Sequence, residues 1–199
     1  MEKWTGCPIC GSPKVRVQHP TRHALDHCGL TGVILEGNGV VLTDCDACGE
    51  QTSTIRNEAQ LLQCLGLMII LSGPGLTGEE LGYMRSLCEM SQEDLATAIG
   101  RSRRETIADW EARGTQPVFR APFDELNLRV VLMSLFQKKV VESKWCCLAP
   151  RHLDQFHAAR RDFISRVDQM LTPREPHGPR SLKRIKSSGE WAAVRKRAA

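Results

Sequence analysis

Nine cysteines stand in this 199-residue chain, and four of them form two copies of one spacing. "CPICG" at 7–11 and "CDACG" at 45–49 are each C-x-x-C-G, with 34 residues between the pairs. Two thiolates two residues apart can grip one side of a metal ion, and two such pairs supply the four soft ligands of a tetrahedral zinc site. Gly11 and Gly49 follow the second cysteine of each pair and can take the positive φ of a turn whose amides point at the sulfurs. Four cysteine ligands leave no open position for water or substrate. The expected Zn2+, a single ion on Cys7, Cys10, Cys45 and Cys48, is therefore structural. His19, His23, His27 and Cys28 are ligand types in the same stretch. With four knuckle cysteines available they read as surface or packing groups.

The 34 intervening residues must fold back for the pairs to meet. "KVRVQ" at 14–18 reads as a strand, and "GVILEGNGVVLTD" at 32–44 as a hairpin turning at Asn38-Gly39. After the second knuckle, "IRNEAQLLQCLGLMIILS" at 55–72 carries Leu61, Leu62, Leu65, Met68 and Ile69 at helical steps, with Asn57 as its expected N-cap. "SGPG" at 72–75 then reads as a linker between separate lobes.

Beyond it, Thr77 with Glu80 predicts a capping box and a helix that turns Leu81, Met84, Leu87 and Cys88 inward. Ser91 with Asp94 opens a second helix, with Leu95, Ala98 and Ile99 inward and Gly100 ending it. Ser102 with Glu105 resembles a third cap, before a helix with Ile107 and Trp110 on one face. Three short helices with a tight turn between the last two describe a helix-turn-helix, whose third helix enters the major groove by its start. That start carries Arg101, Arg103, Arg104 and Thr106; arginine can fork onto guanine or neutralise phosphate. Gln92 is expected at a phosphate or base edge, and Ser91 and Ser102 as caps that can also donate to phosphate.

Charge is uneven. Residues 1–50 hold 4 basic and 6 acidic side chains, residues 51–171 hold 15 of each, and residues 172–199 hold 8 and 2. A zinc ion with four thiolates adds a further negative charge of about 2 to the first stretch. That suits a basic protein partner better than a DNA backbone. The helix-turn-helix segment 77–114 is itself acidic, 5 basic against 8, so the basic tail is expected to supply long-range attraction to nucleic acid. No signal peptide opens the chain and no apolar stretch reaches membrane length. Cysteines in an unsecreted chain favour metal or free thiols, and a cytoplasmic location is expected. There is no H-E-x-x-H, no phosphate loop and no clustered acidic pair for catalytic magnesium, so the chain is not expected to be an enzyme.

The order of parts resembles bacterial antitoxins and regulators of the MqsA-like family, with a YgiT-type zinc finger and an Xre-like helix-turn-helix. "CGLTGVILEGNGVVLTDCDACGE" and "LTGEELGYMRSLCEMSQEDLA" carry most of the likeness, which spans about residues 5–135. Between Gly100 and Ile107 this chain has "RSRRET", one residue more than the family's usual turn. The resemblance implies zinc on the four cysteines, a homodimer formed through the helical domain, and a palindromic double-stranded DNA operator. In some members the zinc domain masks a basic ribonuclease toxin, while other relatives are stand-alone regulators.

The sequence thus predicts an α+β chain. A zinc-binding β domain spans 1–54, a linking helix and linker 55–75, a helix-turn-helix domain 76–145, an amphipathic helical extension 146–171 and a basic, flexible tail 172–199. In the extension Leu153, Phe156, Phe163, Ile164, Val167 and Leu171 form one stripe; in the tail a short helix is expected near Trp191. The function expected is a sequence-specific repressor, in its sharper form an antitoxin. A nonspecific nucleic-acid-binding or scaffold protein led by its tail is the alternative.

Overall fold

The computed structural model describes residues 6–101, 103–120, 122–165, 180–184 and 191–193. In chain order they form β1 (Val15–Gln18), β2 (Arg22–Ala24), β3 (Val33–Glu36), β4 (Val40–Cys45), β5 (Gln51–Ile55), α1 (Glu58–Leu71), α2 (Gly78–Leu87), α3 (Gln92–Ala98) and α4 (Glu105–Glu111). Then come α5 (Pro122–Phe136), which runs on through a π-helical turn (Gln137–Val141), α6 (Pro150–Ser165), β6 (Arg180–Arg184) and β7 (Trp191–Ala193). Small sheets and six helices among the described residues make an α+β chain. None of those helices is long and apolar enough to cross a membrane.

The chain divides into two compact units: one built from the N-terminal strands and the C-terminal segment, the other from residues 26–32 and 59–179. In the first, β1, β4 and β5 form one antiparallel sheet, while β2, β3, β6 and β7 form a second. The expected 32–44 hairpin is therefore replaced by a crossing. β3 pairs with β2 (Ala24↔Ile34), whereas β4 pairs with β1 (Val15↔Cys45) and β5 (Thr43↔Thr52). A two-residue hairpin would need positive φ at both Asn38 and Gly39; here the left-handed residue is Gly37, φ 88°. Its N–H donates to Thr21 O at 2.8 Å, and Gly39 O accepts from Arg56 N–H at 3.0 Å, so each end of the link is bonded to a different strand's flank.

The C-terminal segment departs furthest from expectation. Residues 180–184 are a strand parallel to β3, and Trp191 lies in a strand antiparallel to β6 rather than in a short helix. Leu182, the one apolar residue of "RSLKR", is fully buried.

In the second unit α1 is no link. Gln60, Leu61, Cys64, Leu65, Gly66, Leu67, Ile69 and Ile70 are all buried, and a helix covered nearly all round is a core helix. At Gly66 a β-carbon would collide with Leu87 and stand 3.0 Å from Phe136, so the missing side chain is what admits α2 and α5 so close. The rings of Phe136 and Phe156 meet at 5.4 Å, joining α5 to α6, and Cys64 Sγ lies 3.5 Å from His152 Nδ1. Of the predicted stripe on α6, Phe156 and Phe163 are buried and Leu153 is half-buried. The side chain of Ile164, together with Val167 and Leu171, lies outside the described residues. Asn57 precedes α1 with φ 55°, left-handed rather than the extended backbone of an N-cap.

The "SGPG" stretch is anchored from α5 instead of hanging free. Glu125 accepts from Gly75 N–H at 2.7 Å and Leu76 N–H at 3.1 Å. Arg129, ion-paired with Glu125, donates to Ser72 O at 3.0 Å and Gly73 O at 2.5 Å. Both charges are buried, 1% and 6% exposed. Unit division accordingly falls near residues 58–59 and not at 72–75.

Candidate metal centre and nucleic-acid interface

The two knuckles are built alike down to their hydrogen bonds. Gly11 N–H donates to Cys7 O and Gly49 N–H to Cys45 O, both at 2.9 Å. Cys7 N–H donates to Ser12 O at 2.8 Å and Cys45 N–H to Glu50 O at 3.0 Å. Gly11 and Gly49 take φ 73° and 74°, and nothing stands within 4 Å of a β-carbon at either; backbone conformation, not space, demands glycine there. The Asp46 N–H to Lys14 O bond, 3.0 Å, and the β1–β4 pairing bring the knuckles together.

Their four sulfurs lie within 4.8 Å of one another, with Cys7 Sγ 3.7 Å from Cys48 Sγ and Cys10 Sγ 3.6 Å from Cys45 Sγ. A tetrahedron of sulfurs around zinc, with Zn–S near 2.3 Å, has edges of about 3.8 Å. The cluster can therefore hold one metal ion. Its electrostatics call for a cation. The N–H of Cys48, opposed by desolvation and helped by Ala47 N–H, draws the Cys45 thiol down to about 7. At Cys48 the Glu50 N–H favours the thiolate, but desolvation and the other three sulfurs together push it up to about 12. At Cys10 the Ser12 N–H, with Cys48, favours the thiolate, but desolvation and the Cys45 and Cys7 sulfurs raise it. Thiols this close cannot all ionise without a positive charge among them. His19, His23, His27 and Cys28 take no part in the cluster.

Among the helices, both leading caps form. Thr77 Oγ1 accepts from Glu80 N–H at 3.3 Å while Glu80 accepts from Thr77 N–H at 2.7 Å. Ser91 Oγ accepts from Asp94 N–H at 3.0 Å, and Asp94 accepts from Ser91 N–H at 3.0 Å and Ser91 O–H at 2.7 Å. Those bonds hold the Asp94 carboxyl below its ordinary value. α3 ends in a Schellman turn: Gly100 (φ 71°) donates to Thr97 O at 3.0 Å and Arg101 N–H to Ala96 O at 2.8 Å. Ala96 is the buried alanine and Ala98 the exposed one, the reverse of the expected facing of Ala98.

α4 begins later than the Ser102–Glu105 box predicts. Arg104 is its N-cap, with helical backbone and no side-chain cap bond; Ser102 itself lies outside the described residues. Arg101, Arg103 and Arg104 are exposed and Thr106 is half-buried. Arg104 Nε stands 3.8 Å from Glu105 Oε1, both well in solvent. Gln92 has a partner inside the helical unit. Its Nε2 donates to Glu111 at 2.8 Å, and Glu111 also takes Arg85 Nε at 2.6 Å and Nη2 at 3.1 Å. One carboxylate thus joins α2, α3 and α4. Nothing in the spacing marked Arg85 or Glu111, whose meeting is made by packing. Segment 76–79 is closed by residues 114–118: Val118 N–H donates to Leu76 O at 2.7 Å and Glu79 N–H to Gly114 O at 2.9 Å.

No protein-family model, no curated protein and no solved structure matches this chain.

Proposed function

We propose that this chain is a sequence-specific DNA-binding repressor of the MqsA-like kind, with one structural Zn2+ on Cys7, Cys10, Cys45 and Cys48. The observation that carries the reading is the α2–α3–α4 set with its Schellman turn and the exposed Arg101, Arg103 and Arg104 leading into α4. In helix-turn-helix proteins the helix after such a turn enters the major groove, and arginines at its start reach guanine edges or phosphates. Zinc is favoured over other metals because a closed four-thiolate tetrahedron is its usual structural site. In this reading the protein is a cytoplasmic homodimer on a palindromic operator and catalyses nothing.

The sharper form is an antitoxin whose acidic zinc unit binds a basic ribonuclease toxin. It predicts a small basic protein encoded beside this one; a stand-alone regulator has no such neighbour.

The test is binding of the purified protein to its own upstream DNA and to scrambled DNA at two salt concentrations. Removing two base-reading groups costs about 1–3 kcal/mol each, so Arg103→Ala with Arg104→Ala should abolish preference for the native site. Equal, steeply salt-dependent binding of the unmodified protein to both DNAs overturns the operator reading.

A further inference from the structure

We propose that the edge of β3 is a strand-acceptor site, held in cis by Arg180–Arg184, that can take the same basic, leucine-centred segment in trans from a second copy of this chain. β6 lies along β3 in parallel, with Val33↔Arg180, Ile34↔Ser181, Leu35↔Leu182 and Glu36↔Lys183 as partners. Between these strands the chain runs through β4, β5 and α1 to α6, so β6 returns as a separate piece. The pairing is short, four residues, and parallel ladders hold less per residue than antiparallel ones. On its other side, among the described residues, β6 pairs with β7 over a three-residue register.

The composition of β6 is that of a ligand more than of a core strand. A parallel-paired strand buried on both faces reads as an apolar run. "RSLKR" instead offers one leucine, fully buried, among polar and basic residues. That is how strand addition recognises a peptide: main-chain bonds give affinity and one apolar pocket gives selectivity. Val33 and Leu35 of the receiving strand are themselves 1% exposed, so Leu182 pairs with an apolar position, while Glu36 at the strand's end stands in register with Lys183. Charge points the same way, 8 basic to 2 acidic residues in 172–199 against 4 to 6 in 1–50. Left bare, the β3 edge would be a template for any passing strand. Tethering keeps the resident strand at an effective concentration on the order of millimolar, so the second copy's segment must outcompete it. The inference stands whether or not the helical unit binds DNA.

The experiment uses the full chain and a fluorescein-labelled peptide of residues 178–194, followed by anisotropy. Leu182→Asp puts a charge where the native side chain is fully buried and should expel the resident strand. We expect the peptide to bind the Leu182→Asp chain at least about tenfold more tightly than the unmodified chain, where the site is already occupied. The same peptide carrying Asp at its leucine should bind neither. Equal affinity for both chains, or no binding to a Leu182→Asp chain that keeps its metal and helical circular dichroism, overturns the proposal. If that variant loses its metal, a second chain with a protease site inserted between Thr172 and Pro173 decides. After cleavage in the folded state, the C-terminal piece should stay attached and exchange with excess labelled peptide. A piece that leaves without rebinding, or that resists exchange at millimolar peptide, overturns it equally.

Discussion

Leu25, Val33, Leu35, Val40, Ile55 and Leu182 are the aliphatic side chains that the described part of the N-terminal unit buries, Leu25 just after β2 and the rest on strands of four to six residues. The helical unit buries Leu61, Leu65, Ile69, Leu81, Met84, Leu95, Ile107, Phe136 and Phe156 to 1% exposure or less, with many more behind them. A core as small as the first rarely folds a domain unaided, and such scaffolds recruit a metal or an extra strand. This one has both a four-sulfur cluster and a strand from the far end of the sequence. The second unit has apolar area to spare and can hold charge in its interior, where Glu125 and Arg129 fasten the irregular 72–76 segment. Cross-links compensate for a thin core, while a thick core tolerates polar rivets.

Metal removal should split the two most widely. Structural zinc contributes on the order of 10–16 kcal/mol of apparent binding free energy to small domains, more than this β unit can replace. Chelation is expected to abolish amide protection in β1, β4 and β5 while leaving helical circular dichroism and the protection of α1 and α5 in place. Hydrogen exchange by mass spectrometry reads both at once. Protection lost in both units together would show that the helical unit also depends on the metal. Protection retained in both would show that the strands hold without it.

Glu125→Gln attacks the other side of the comparison. It leaves the Arg129 guanidinium buried without its counter-charge and weakens the acceptor for Gly75 and Leu76. Removing one member of a buried pair costs about 3–5 kcal/mol. Urea unfolding of the helical unit should show that loss while metal content stays at one ion per chain. A change under about 1 kcal/mol, the range of an exposed pair, would mean that water reaches the Glu125 site.

Gly78→Ala is expected to cost less, about 1–3 kcal/mol as for an overpacked site. A β-carbon there would collide with Trp110 O and lie 2.7 Å from Glu111 O and 2.9 Å from Gly114 N. These are backbone atoms and cannot swing aside, so α2 must back away from α4. Under the DNA-binding reading proposed above, the variant should also bind its upstream DNA more weakly, since Glu111 of the Arg85–Glu111–Gln92 junction supplies one of the atoms in the contact.

The four-cysteine cluster was legible because a ligand set is local chemistry: Cys7, Cys10 and Gly11, and their counterparts at 45, 48 and 49, fix their own turns. The capping boxes at Thr77 and Ser91 were legible for the same reason, each being a bond across three residues. What failed was long-range. The Asn38-Gly39 turn signal is real as a local preference, but pairing partners for β3 and β4 come from β2, β6, β1 and β5, and none of those is visible in a 13-residue window. Leu182 in a basic stretch reads as tail until the β3 edge is known to be open. Ser-Gly-Pro-Gly reads as linker until Arg129, 56 residues beyond Gly73, is found bonded to it. The Gln92 bond to Glu111 is hidden in the same way, because helix position alone cannot reveal a carboxylate on α4.

Two Schellman turns on adjacent helices give the finest comparison. α3 closes through Gly100, α2 through Glu89: Glu89 N–H donates to Ser86 O at 2.9 Å and Met90 N–H to Arg85 O at 3.1 Å, and Glu89 sits at φ 54°. Left-handed backbone costs a residue with a β-carbon about 1–2 kcal/mol, whereas glycine adopts it freely. Glycine gives back part of that gain through the greater freedom of the unfolded chain, roughly 0.5–1 kcal/mol. Glu89→Gly should therefore stabilise the helical unit by up to about 1 kcal/mol, and Gly100→Ala should destabilise it by a similar amount. No heavy atom comes within 4 Å of a β-carbon at Gly100, so the second change tests conformation without a clash. Paired urea melts measure both. Opposite shifts of similar size would show that both turns need left-handed backbone. A loss at Glu89→Gly would mean instead that the Glu89 side chain contributes more than its backbone conformation costs.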